Sequence, residues 1–213
     1  MEIKICGKFT KRKGYIYRTD TYFQIGQPEN VKGAFILCNP GSSSFEDPEK
    51  QKKLEGYEGE DDYIDTGKLK ADPVMKQLIN ILKVSGLDKE EGRFPIYNTF
   101  TLRNGNMDSA IKDFNDTNMD KELLHKDFYD FIDNKDRIPW TIVGWGCKDN
   151  RRLNSIKRGW LDYLNTKEVN FIGYEHKKSP HYYHPRPHIK EKQEEYLEII
   201  TKKLKNLLEG KNN

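Results

Sequence analysis

The chain has 213 residues, 35% of them hydrophobic and 33% charged, with a formal net charge of +3; that length suits one domain with a real core beneath a heavily charged surface. No window approaches the run of about 20 apolar residues that a membrane span needs, and so small a net charge is not by itself a mark of nucleic-acid binding. Three cysteines, Cys6, Cys38 and Cys147, stand far apart and leave at least one unpaired, which points to a reducing, cytoplasmic setting and away from a disulfide scaffold or zinc cluster.

Met1 to Cys6 is too short and polar for a signal peptide. Ile3 to Tyr22 reads as a hairpin around Lys13-Gly14. Ala34 to Cys38 is a continuous apolar run, as expected of a strand covered on both faces. Gly41 to Lys70 is polar and acid-rich, and is expected to form a long loop at about 41–71. Asp72-Pro73 opens a helix, with Asp72 as cap and Pro73 at its first position; Val74, Leu78, Ile81 and Leu82 form its stripe and Gly86 its stop. Further apolar runs at Pro95 to Phe100, Trp140 to Trp145 and Val169 to Tyr174 read as strands. Helical spacing covers Asp120 to Asp133, Asn150 to Leu164 and Ile189 to Leu208. The β-α alternation predicts a single α/β domain over 1–213. Its expected form is a three-layer α/β/α sandwich around a mainly parallel four-stranded sheet.

In such sheets ligands bind beyond the carboxyl ends of the strands. The four ends carry Asn39-Pro40-Gly41-Ser42, then Asn98-Thr99-Phe100, then Trp145-Gly146-Cys147-Lys148, then His184-Pro185-Arg186-Pro187. An Asn amide offers both an acceptor and a donor, so Asn39 can hold a water and Asn98 can read a base edge. Pro40 fixes the backbone, Gly41 admits a ligand, and Ser42 can hold phosphate. His184 can serve as acid, base or oxyanion donor. Phe100 can stack on a base, and Lys148, Arg151 and Arg186 can meet a nucleic-acid backbone. Each residue also has a plain structural role open to it: Asn-Pro-Gly as a turn, Asn98 as a satisfier of buried backbone, Trp145-Gly146 as core and loop, His-Pro-Arg-Pro as a rigid connector. The histidines between His176 and His188 have no carboxylates interleaved and no Cys-x-x-Cys beside them, so neither a metal nor a cofactor is expected.

The order Asn39-Pro40-Gly41, Tyr97-Asn98, Trp145-Gly146, His184-Pro185-Arg186-Pro187 resembles the uracil-DNA glycosylase superfamily, in the branches whose first motif is Asn-Pro-Gly. It is also similar to a bacterial and phage protein family with an Asn-Pro-Ser motif, an Asp-Pro pair, for which Asp47-Pro48 fits, and a Trp-Gly. The resemblance spans about Ala34 to His188. It implies a hydrolase that cleaves the N-glycosidic bond of a modified or deaminated pyrimidine. Asn39 would position the water, His184 would stabilise the departing base, Asn98 would select it, and Pro40, Gly41, Ser42, Phe100, Trp145 and Gly146 would line the substrate site. Arg186 stands where the family's main branch has Ser, and no apolar wedge follows. The expected partner is DNA or a nucleotide, and the chain is expected to act as a monomer. The alternatives are a non-catalytic nucleic-acid-binding module and an enzyme acting on a free nucleotide.

Overall fold

A computed structural model describes residues 1–113, 116 and 119–210. The chain opens with strands β1 (Ile3–Arg12) and β2 (Tyr15–Ile25). Lys13 and Gly14 both take positive φ, 51° and 79°, which matches the twist a two-residue hairpin turn requires. There follow β3 (Ala34–Leu37), α1 (Pro48–Gly56), β4 (Tyr63–Lys68), α2 (Pro73–Val84), β5 (Gly92–Asn98), α3 (Met107–Asp113), α4 (Lys121–Leu124), α5 (Lys126–Asn134), β6 (Thr141–Val143), α6 (Arg151–Thr166), β7 (Phe171–Gly173) and α7 (Lys190–Glu209).

The strands form one mixed α/β sheet in the order β4-β1-β2-β5-β3-β6-β7. This corrects the four-stranded, mainly parallel expectation. The four expected strands are present and pair in parallel as β5-β3-β6-β7, but β2 adds to β5 antiparallel, and β1 and β4 extend that side. The antiparallel ladders are the longer ones, so most paired residues are antiparallel. The 41–71 segment is likewise not an unbroken loop. Asp47 caps α1 through hydrogen bonds from the Glu49 and Lys50 amides, Pro48 sits at its start, and Leu54 is buried. β4 then pairs with β1 from Cys6↔Lys68 to Lys11↔Tyr63. Its alternating half-buried and exposed residues are those of an edge strand with one face wet. Few apolar residues mark it, so periodicity alone did not reveal it.

β3 is buried along its whole length and divides the core by alternation. Phe35 and Leu37 join Met75, Leu78, Ile81 and Leu82 of α2 and Tyr196, Ile200 and Leu204 of α7. Ala34, Ile36 and Cys38 join Phe131 of α5 and Leu153, Trp160 and Leu164 of α6. Each large apolar side chain among them contributes about 1.5–3 kcal/mol when fully buried. A one-residue slip of β3 would exchange the two sets. The single helix expected over 120–133 is interrupted at His125. Thr101 takes the Leu124 carbonyl through its amide (3.0 Å) and the Leu123 carbonyl through its hydroxyl (2.5 Å), so those carbonyls are drawn toward the end of β5. Among the described residues no helix is long and apolar enough to cross a membrane.

Candidate functional site

Because β3, β5, β6 and β7 run parallel, the segments that follow them gather at one edge of the sheet. Beyond β3 the backbone is tied to the chain leaving β5. Thr99 donates its amide to the Leu37 carbonyl (2.8 Å) and its hydroxyl to the Cys38 carbonyl (2.7 Å). Asn39 donates Nδ2–H to the Asn104 carbonyl at 2.7 Å, which fixes the amide plane. Its Oδ1 accepts nothing from the described residues and remains an open acceptor. Pro40 is buried. Gly41 takes φ +63°, and a Cβ there would stand 3.5 Å from Oδ2 of Asp72. Asp72 uses its other oxygen, Oδ1, to accept from the Met75 amide at the start of α2 (2.8 Å). Ser42 is exposed, and Arg103 grips this turn, donating Nε–H to the Ser43 carbonyl (2.7 Å) and Nη2–H to that of Ser42 (3.4 Å).

Beyond β6, Trp145 is buried and donates its indole N–H to the Pro180 carbonyl at 2.7 Å. Its ring meets Tyr182 edge-on at 5.4 Å. Gly146, at φ +76°, brings the backbone against His184: a Cβ there would lie 3.6 Å from the His184 Cβ. The Gly146 carbonyl accepts from Lys157 Nζ (2.8 Å), as does that of Lys148 (3.2 Å). Lys157 is fully buried, and desolvation pulls its pKa down. Half-buried His184 sets Nδ1 3.1 Å from the Arg186 amide, which donates to it in one tautomer, and 3.2 Å from the Arg186 carbonyl, which accepts from it in the other. Nε2 is accordingly a donor in the first tautomer and an acceptor in the second, and it meets no partner among the described residues. Burial lowers the His184 pKa, opposed by the Arg186 backbone and by the charge of Asp72. The ring is therefore neutral at neutral pH, lying in the field of Asp72.

Asn98 lies at a break in the sheet. The β2–β5 ladder runs to Thr21↔Ile96 and resumes only at the Tyr17↔Leu102 bridge. In the gap Asp127 of α5 supplies the missing acceptor: its Oδ2 takes both the Asn98 amide (2.8 Å) and Asn98 Nδ2–H (2.9 Å). Asn98 Oδ1 is buried with no partner among the described residues. Desolvation raises the Asp127 carboxyl to about 7, against the opposing hydrogen bonds from Asn98.

The structure thus brings Asn39, Gly41, Gly146 and His184 to one edge, with Asn98 beneath, 1% exposed. Phe100 has no exposed surface and Trp145 is core, so neither ring is presented to a ligand. Lys148 pairs with Asp108 at 2.5 Å; Arg151, in the first turn of α6, and Arg186 are exposed. Asp72, Arg103, Lys157 and Asp127 escaped the sequence reading as site residues. Of the two Asp-Pro pairs, Asp72-Pro73 stands against Gly41, whereas Asp47-Pro48 serves to cap α1. A groove of about 620 Å³ starts at Pro73 and runs between α2 and α7; Lys76, Lys83 and Arg186 line it with Asn80, Gln77 and Gln193, and no carboxylate does. A second cleft, about 710 Å³, lies away from Asn39, between β2, β5 and α5, where Asp127 forms part of its wall. Among the described residues no group of three or more His, Cys, Asp or Glu is arranged to hold a metal ion. Comparison with protein-family models, with curated proteins and with solved structures found no match.

Proposed function

We propose that the chain is a nucleobase-excising hydrolase of the glycosylase type, acting on DNA or a nucleotide. The observation that supports this most is the gathering at one sheet edge of an open acceptor, Asn39 Oδ1, and the unpartnered Nε2 of the neutral His184 ring, with the Asp72 carboxylate against Gly41 and its charge acting on that ring. In this reading the glycosidic bond breaks with its electron pair passing to the base, and the sugar acquires oxocarbenium character. His184, in the tautomer that accepts the Arg186 amide at Nδ1, donates Nε2–H to the oxygen on which the base gathers negative charge. Asn39 Oδ1 accepts a hydrogen bond from the water that adds to the sugar carbon, orienting its lone pair for attack, and the proton the water loses neutralises the departed base anion. Asp72, which stands against Gly41, supplies a negative charge at the same edge for the developing cation. Asn98, whose amide nitrogen is engaged by Asp127, offers its unpartnered Oδ1 as an acceptor to the base.

Incubation of the purified chain with oligonucleotides and nucleotides carrying normal, deaminated and 5-modified pyrimidines tests the reading. Release of a free base, abolished by Asn39→Ala with binding retained, is expected. No release from any member of the panel would count decisively against it. The burial of Phe100 and of nearly all of Asn98 favours a second reading, a nucleic-acid-binding module without turnover. Such a module shows salt-dependent affinity and no product.

A further inference from the structure

Arg18 is 1% exposed, yet its Nε and Nη1 meet no acceptor among the described residues. It lies on β2 inside the gap that Asp127 fills, opposite Phe9 of β1, whose side chain is fully buried on the same face. Three ionisable groups act on it: Asp72, Asp127 in its ionised form and, unfavourably, Arg103. All three belong to the strand-end site. Asp72 stands against Gly41, Asp127 holds Asn98, and Arg103 grips Ser42 and Ser43. Neither carboxylate bonds to Arg18; the bonds they accept come from Met75 and Asn98. Burial brings the Arg18 pKa down to about 10, so the group is still charged at neutral pH.

An uncompensated buried charge is among the most costly arrangements a fold can hold. Lys157 provides the contrast: also fully buried, it is satisfied by two backbone carbonyls. The fold therefore supplies acceptors to buried Lys157, and among the described residues it supplies none to Nε and Nη1 of Arg18. We propose that Arg18 is a ligand-binding residue, forming the floor of the strand-end site and donating to acceptor oxygens of the bound molecule. The proposal rests on the reading of that edge as a substrate site. The chemistry required is an oxygen acceptor, whether a base carbonyl or a phosphate oxygen.

Two measurements on the full chain test it. Calorimetric titration with uracil presents carbonyl oxygens alone, and with inorganic phosphate anionic oxygens alone; 2′-deoxyuridine 5′-monophosphate presents both. At least one probe is expected to bind the wild type and to weaken by about tenfold or more in Arg18→Met, the range for a lost hydrogen bond to a charged group. Arg18→Lys, which keeps the charge with fewer donors, should fall between. Without ligand, the thermal midpoint of Arg18→Met is expected to equal or exceed that of the wild type, because an apolar chain of similar length relieves the unpaired charge. Unchanged probe affinity in Arg18→Met overturns the proposal, and so does a variant that unfolds or melts well below the wild type, since the arginine is then structural. Base release by the wild type that persists in Arg18→Met removes this proposal alone. If the wild type neither binds any probe nor releases base, the substrate-site reading falls and takes the proposal with it.

Discussion

Replacing Asp127 with asparagine removes a titrating group from the break between β2 and β5. Asp127 is 2% exposed, and desolvation raises its carboxyl from the ordinary 3.8 to about 7. A carboxyl whose folded pKa lies above its unfolded one stabilises the fold fully below the unfolded value and loses that contribution as pH rises through the folded value. A shift of this size corresponds to about 4 kcal/mol in all, of which somewhat more than half is lost between pH 5 and pH 8. The substituted side chain keeps an oxygen for the two Asn98 donors but does not titrate; its new amide lacks a partner at a cost of about 1–3 kcal/mol. Asp127→Asn is therefore expected to be less stable than the wild type at pH 5 and equal to it or more stable at pH 8. Urea unfolding of both proteins at the two pH values, with equal slopes in denaturant, gives the double difference, in which the other titrating groups cancel. A double difference near zero, or one of opposite sign, would refute the assignment of a protonated Asp127 beneath Asn98.

Three further outcomes follow from particular contacts. Since burial lowers the His184 pKa and Nδ1 is held by the Arg186 backbone, base release should hold steady as pH rises from 7 to 8, and His184→Ala should lower kcat more than it changes KM; a rate that falls steeply over that interval would require a charged imidazole. Gly33→Ala would place a Cβ 2.1 Å from Trp140 Cζ2 at the entry to β3, so a loss of about 1–3 kcal/mol or more is expected in urea unfolding, and unchanged stability would show that Trp140 has room to move. Converting Lys76, Lys83 and Arg186 to Gln together should reduce the slope of log affinity against log salt for a single-stranded oligonucleotide by about 2; an unaltered slope would place the phosphate contacts outside the α2–α7 groove.

Much of the architecture was legible because it is written in local pattern. The run Ala34 to Leu37, the Asp72-Pro73 cap with its stripe through Leu82, and the strand-and-helix alternation through α7 identified the α/β class and the edge where the strand ends gather. Periodicity and capping act over a few residues, so a sequence displays them directly. β4 did not show itself, because an edge strand with one wet face needs little apolar residue content, and its pairing with β1 joins residues more than fifty positions apart. The choice between two identical Asp-Pro dipeptides was invisible for the same reason: both cap helices, and only the packing of α2 sets Asp72 rather than Asp47 beside Gly41. Tertiary structure alone decided that Phe100 faces the core, that Asp127 fills a gap in the sheet, and that Arg18 is enclosed with no acceptor for Nε and Nη1 among the described residues. The sequence determined which residues stand at the strand ends. Desolvation and partner count, which depend on what folds over each side chain, decided what those residues can do.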